Sequence, residues 1–281
     1  MAGTVKLYGF TGSNAVYTGR LMLEHKGIEY DFVELPPAAH AFILLALGFE
    51  TTGAPALKVG DRRVQGTRWI ARTLDELCPD KPLFPADPEA RYAVELAERW
   101  GEELQNAARR IFYCASRRDR SAFMSVLGAG RGATGRAALR VMAPVIMKLA
   151  TGAHRATDDA GREDVARLPE RLDQIDAWIA EGVIGGAELN AADFQIAVNV
   201  SALLLSEDLA PFIEGRPAAA LARRVAPGYE GRIRSVLPED WLASLHGRPG
   251  EGGPPSGADE LARPATRNDD RIATVVHDPT R

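Results

Sequence analysis

Four prolines within ten residues, Pro79, Pro82, Pro85 and Pro88, divide this chain. Each lacks a backbone N–H donor and crowds the residue before it, so no helix or central strand runs through such a segment. The patterns on its two sides differ in kind. Before it, Val5 to Phe10 alternates as a short strand, ended by the turn and N-cap residues Thr11-Gly12-Ser13-Asn14. Val16, Leu21 and Leu23 recur at helical spacing between Ala15 and Lys26, and Gly27 supplies the stop. Ile28 to Leu35 reads as a second strand halted by Pro36-Pro37, and strand–helix–strand with short links predicts a parallel pair. His40 to Gly53 carries no clear period. Ala54 to Val59 and Arg62 to Val64 flank the turn Gly60-Asp61 as a hairpin, and Thr67 to Leu77 has the spacing of a helix.

After the prolines only helical periodicity remains, over Glu89–Ala115, Ala137–Thr151, Gly161–Glu181, Ala191–Ser206 and Pro217–Val225. From His246 onward Gly, Pro, Ser and charged residues dominate, which predicts disorder. The order βαβ, irregular helix, ββα is a thioredoxin-like arrangement. The expected organisation is a thioredoxin-like α/β domain over residues 1–78, a linker over 79–88, an all-helical bundle over 89–245 and a tail over 246–281.

Several functions are disfavoured at this level. A net charge of −4 gives the whole molecule no electrostatic reason to seek nucleic acid. No run of 18 apolar residues is present, so no membrane insertion is expected, and no basic segment leads into an apolar signal core. Cys78 and Cys114 form no CxxC pair, and a cytoplasmic protein is the simplest reading. The histidines at 25, 40, 154, 246 and 277 have no metal-ligand spacing. Gly130, Gly132 and Gly135 match G-x-G-x-x-G but follow no strand, so they are expected to break two helices rather than hold a nucleotide. Met142, Val145, Ile146 and Leu149, with Arg140 and Lys148 among them, suit either a buried helix face, which is the reading preferred, or a helix lying on a membrane surface. Between Leu104 and Thr157 ten Lys or Arg residues accompany a single acid, Asp119, a local charge of +9 that suits either a solvated surface or an anionic small-molecule substrate.

In order and spacing, the strand–Ser13–helix opening, the Ala54-Pro55 step, the Val64–Leu74 segment and the linker Pro82-Leu-Phe-Pro85-Ala-Asp-Pro88 resemble the cytosolic glutathione transferases over roughly residues 3–245. Leu189-Asn190-Ala-Ala-Asp193-Phe resembles that family's buried capping motif. The resemblance implies a homodimer that joins glutathione to an electrophilic small molecule. Aligning Arg20–Gly27 with the family's first helix puts Ser13 in the catalytic serine or cysteine position, with Thr11 as an alternative. The tyrosine position of other members falls on Gly9. The likeness further implies that Asn14, His40, Ala54, a cis Pro55, Gln65, Gly66 and Thr67 surround the thiol cofactor. It departs from the family at Gly66, where an acid or amide side chain is usual, which leaves open another low-molecular-weight thiol or a non-catalytic binding or scaffold protein. No metal ligand is implied.

Overall fold

The structure, a computed structural model, describes residues 4–246, and the expectation for the remainder of the tail lies outside them. Strands β1 (Val5–Gly9), β2 (Asp31–Glu34), β3 (Ala56–Val59) and β4 (Arg62–Gln65) form one sheet in the order β2-β1-β3-β4. The β1–β2 pair is parallel, as the short helical crossover α1 (Asn14–His25) requires, and β3 and β4 form the expected antiparallel hairpin. Strand β2 is shorter than the sequence pattern suggested: Ile28 to Tyr30 stay outside the ladder.

Alternation along β1 sends successive side chains to opposite faces. Leu7 and its cross-strand partner Leu57 face α1 and α3 (Thr67–Leu77), packing with Met22, Leu23, Ile70 and Leu74. Tyr8 and its partner Ala56 face the other way, where α2 (His40–Ala46) covers them with Leu44 beside Leu35 and Phe49. The segment without clear period thus holds a short helix.

The linker is tied down at one carboxylate. Asp75 accepts from the backbone N–H of Leu83 at 2.7 Å and of Phe84 at 3.2 Å, and from the buried Lys26 ammonium at 2.5 Å. Lys26 also donates to the Cys78 carbonyl at 2.7 Å. Pro88 opens α4 (Pro88–Arg118), where a missing N–H costs nothing.

All later elements among the described residues are helical: α5 (Arg120–Leu127), α6 (Ala133–Ala153), α7 (Asp158–Ala166), α8 (Leu168–Ala180), α9 (Ala191–Leu204), α10 (Ala210–Ile213), α11 (Pro217–Val225) and α12 (Glu239–His246). Helix α9 is buried nearly all round and packs against α4, α11 and α1. The capping box is present as expected: Asn190 accepts from the N–H of Asp193, and Asp193 accepts from that of Asn190. The single helix expected over 161–181 is two, because Pro169 removes a donor at the start of α8. Met142, Val145 and Leu149 are exposed rather than buried, and of that group only Ile146 faces the core. Gly130, at φ +68, and Gly132, the N-cap of α6, separate α5 from α6 as expected, but Gly135 lies inside α6 and breaks nothing.

Candidate functional site

The turn after β1 carries Ser13 to the start of α1. Ser13 is the N-cap, with extended backbone (φ −79, ψ 120), and its Oγ accepts from the Val16 N–H at 3.4 Å, a long bond. Among the described residues its hydroxyl proton has no acceptor. Gly9 sits beneath this turn, and a Cβ there would lie 2.4 Å from Val16 Cγ2, so the position has no room for a tyrosine.

Thr11 is differently employed. Its N–H and its hydroxyl both donate to Glu34, the hydroxyl at 2.8 Å, and Arg131 forms an ion pair with the same carboxylate. Ser13 and Thr11 open on a cleft of about 210 Å³, walled by Phe10, Tyr17, Phe32 and Tyr229. Tyr229 donates to the Gly12 carbonyl at 2.9 Å, and Tyr17 accepts from the Gly228 N–H at 3.1 Å. The rings of Tyr17 and Tyr229 meet with centroids 5.5 Å apart. Burial pushes the Tyr229 phenol well above its ordinary pKa, so it acts as a fixed donor.

Asn14 lies behind Ser13 in a buried polar network. Its Nδ2 donates to Asn199 Oδ1 at 2.7 Å, and its Oδ1 accepts from the Ala15 N–H at 3.0 Å and from Arg109 Nε at 3.2 Å. With the Gln105 amide turned so that its oxygen faces Arg109, the two Nη atoms also donate there, at 3.0 and 3.2 Å. Burial holds the Arg109 guanidinium below its ordinary pKa, and among the described residues no carboxylate lies within ion-pair distance of it. Neighbouring arginines do have acids: Arg110 pairs with Asp164, and Arg118 with Asp158. Sequence reasoning saw the basic segment but could not single out Arg109, and it missed Tyr17 and Tyr229 altogether.

The other expected residues cluster at the β4–α3 turn. The Ala54–Pro55 bond is cis, and Pro55 touches α1 at Gly19. The Pro55 carbonyl accepts from the Gly66 N–H at 3.0 Å. Gly66 takes φ +83, a conformation that disfavours other residues, and the space beside its Cα is open. Gln65 is committed: its Oε1 accepts from the Thr51 N–H at 2.8 Å, and its Nε2 donates to the carbonyls of Thr51 and Gly53 at 2.8 and 2.9 Å. Thr67 is buried at the first position of α3, where helix N–H groups favour an anion. His40 is held by a contact between Nδ1 and the Pro37 carbonyl at 2.8 Å, with its ring against Phe10. Ala54, Pro55, Gln65, Gly66 and Thr67 are not part of the wall of the Ser13 cleft, so the expected residues form two groups, bridged where α1 meets Pro55. Among the described residues no group of three or more acids, His or Cys could hold a metal ion.

Residues 7–82, which span the sheet, both cis-proline partners and the Ser13 turn, match the family of glutathione S-transferase N-terminal domains. The chain carries a glutathione S-transferase N-terminal domain. No curated protein sequence matches the chain. Solved structures share its fold over most of its length. A glutathione S-transferase from Sinorhizobium meliloti 1021 is 18% identical with a TM-score of 0.52, covering 86% of this chain and 99% of its own. The beta-etherase LigF from Sphingobium sp. strain SYK-6 is 17% identical with a TM-score of 0.53, over 88% and 96%. Rice GST1, solved in complex with glutathione, is 17% identical with a TM-score of 0.53, over 83% and 94%. The architecture is that of the glutathione transferases: a thioredoxin-like mixed sheet followed by a mostly helical region.

Proposed function

We propose that the chain binds glutathione, or a related low-molecular-weight thiol, and joins its sulfur to an electrophilic small molecule. In that reaction the thiolate forms a bond to carbon, the leaving group departs with its electron pair, and the thiol proton passes to solvent. The observation that carries the reading is the Ser13 hydroxyl, placed at the start of α1 on the cleft with its proton unclaimed. Thr11 is the weaker donor, since its proton already rests on Glu34.

Lowering a thiol pKa from about 8.5 to about 6.5 requires some 2.7 kcal/mol in favour of the thiolate. A helix N-terminus supplies about 0.3–1 kcal/mol, and one hydrogen bond to a charged group about 1.5–3 kcal/mol. Ser13 and α1 together suffice; neither does so comfortably alone. Thr67 and the α3 N-terminus suit a carboxylate of the thiol ligand, and Ala54 offers backbone beside the cis bond. The ammonium end of glutathione finds no acid at positions 65–67.

The local excess of ten Lys or Arg over one acid between Leu104 and Thr157 supports an anionic electrophile. Carboxylated substrates then turn over faster than neutral ones, and equal rates would refute that part. Two free cysteines accord with a cytoplasmic setting, and exposed Trp69 and Tyr92 offer a homodimer apolar surface to bury.

A second reading, a binding or scaffold protein without thiol chemistry, is favoured by one observation: Gln65 is spent on the 51–53 loop and Gly66 has no side chain. Titration calorimetry with glutathione decides between them. Binding weakened by Thr67→Ala supports the transferase; no heat at millimolar glutathione, with other small thiols also silent, supports the scaffold.

A further inference from the structure

The surface of α6 is unlike that of the other long helices. Its sequence holds Arg136, Arg140 and Lys148 and no acid. Leu139, Ala143, Ile146 and Met147 face inward. Outward, Val141 is 76% exposed, Leu149 59%, Val145 48% and Met142 39%. Positions 141, 145 and 149 recur every four residues, so they make one stripe about 12 Å long on a convex face. Arg140 and Lys148 stand beside it with no acid within ion-pair distance among the described residues, whereas Arg110, Arg118 and Arg131 are neutralised by Asp164, Asp158 and Glu34. Arg140 and Lys148 thus border the apolar stripe with their charges unneutralised, although they are not the only such cations of the basic segment, since Arg120, Arg136 and Arg155 also lack an acid within ion-pair distance among the described residues.

We propose that this face of α6 docks on an anionic lipid bilayer, with Val141, Val145 and Leu149 entering the headgroup region and Arg140 and Lys148 resting on acidic headgroups. An apolar stripe with a purely basic border is complementary to such a surface. A second copy of the same face would set Arg140 and Lys148 against their own kind, which disfavours self-pairing through α6. A single convex helix face also offers no groove for a peptide. The docking is peripheral: among the described residues no helix is long and apolar enough to cross a membrane.

The test is co-sedimentation of the full chain with phosphatidylcholine vesicles, with or without phosphatidylglycerol. The protein is expected to pellet only with the anionic vesicles, and to be released in about 1 M salt, where the screening length falls to about 3 Å. The charge reversal Arg140→Glu with Lys148→Glu is expected to weaken binding by more than about tenfold, and Val145→Glu with Leu149→Glu to abolish it. These positions are exposed, so circular dichroism of each variant is expected to match the parent. Failure to pellet with anionic vesicles at low salt, equal binding to both vesicle types, or binding unchanged by the paired variants would overturn the proposal. So would a dimer of the parent, measured by light scattering, that Val145→Glu converts to monomer, since that places a second copy on the stripe.

Discussion

Arg109 Nε donates to Asn14 Oδ1 at 3.2 Å, so a guanidinium from the middle of α4 ends on the residue that follows Ser13. Asn14 stands in for the carboxylate that a buried arginine ordinarily faces. Replacing Asn14 by Leu leaves the buried Arg109 Nε–H without an acceptor, although the Nη atoms keep Gln105, and is expected to cost about 1–3 kcal/mol. Adding Arg109→Leu removes the stranded partner and is expected to restore part of that loss, since coupled sites are not additive. Urea unfolding of the two single variants and the double variant measures the coupling. Additive losses would mean that the two side chains do not act together.

Ser13→Ala separates the cap from the chemistry. The cap bond is long at 3.4 Å, so the stability loss is expected near the low end, about 0.5 kcal/mol. Loss of a hydrogen bond to a thiolate, at about 1.5–3 kcal/mol, corresponds to a fall in turnover of roughly ten- to 150-fold. Thermal melting and kcat with an aryl electrophile are the two readouts. A variant that melts lower but turns over normally would leave Ser13 as a cap only.

Gln65 holds the 51–53 loop by three hydrogen bonds. In Gln65→Glu the side chain keeps its acceptor for the Thr51 N–H but sets a carboxylate oxygen against two carbonyls. A loss of about 1–3 kcal/mol is expected, together with faster amide hydrogen exchange at Thr51 and Gly53. Unchanged exchange would show that the loop is held by something else.

Two buried groups give opposite dependences on pH. Glu98, 2% exposed between α3 and α4, is raised to about 7 by burial, although Arg72 at 2.8 Å and Arg68 oppose the shift. A raised carboxyl pKa makes the folded state bind protons more readily, so this contribution is greatest at low pH and fades as pH rises from about 4.5 to about 7. At about 1.4 kcal/mol per unit the upper limit is about 3 kcal/mol. His154, stacked on Tyr113, is lowered to about 4 by burial and by the charges of Arg109 and Arg110. Its contribution is present above about 6.5 and is lost as pH falls toward about 4. Melting temperatures of Glu98→Gln are therefore expected to fall on acidification below pH about 6.5 more steeply than those of the parent, whose two groups offset each other. Parallel curves for the two proteins would remove Glu98 from the account.

The features legible in the sequence are the local ones. Alternation in β1, the Gly60-Asp61 turn and the Asn190–Asp193 spacing each act over a few residues, and each is found where the pattern placed it. Proline was a less consistent guide. Pro169 starts a new helix, while Pro144 is carried inside α6 without ending it. The reason is tertiary: the helix on either side of Pro144 is held to the core through Leu139, Ala143, Ile146 and Met147. The site was half legible. Ser13 and Pro55 sit at chain punctuation that a sequence displays. Which arginines of the basic segment find an acid depends on Asp164, Asp158 and Glu34, all tens of residues away, and no local pattern carries that information.

Asp75 has a mechanical consequence. One carboxylate fastens the end of α1, the end of α3 and the proline-rich segment at a single point, so that segment is a riveted seam with no slack in it. The chain therefore leaves the sheet region from a fixed point, and the direction in which it enters α4 is set before the first helical turn. The same holds at the other end of α1, where Tyr229 ties the Gly12 carbonyl to the cleft wall, so that both ends of the helix carrying Ser13 are pinned from outside it.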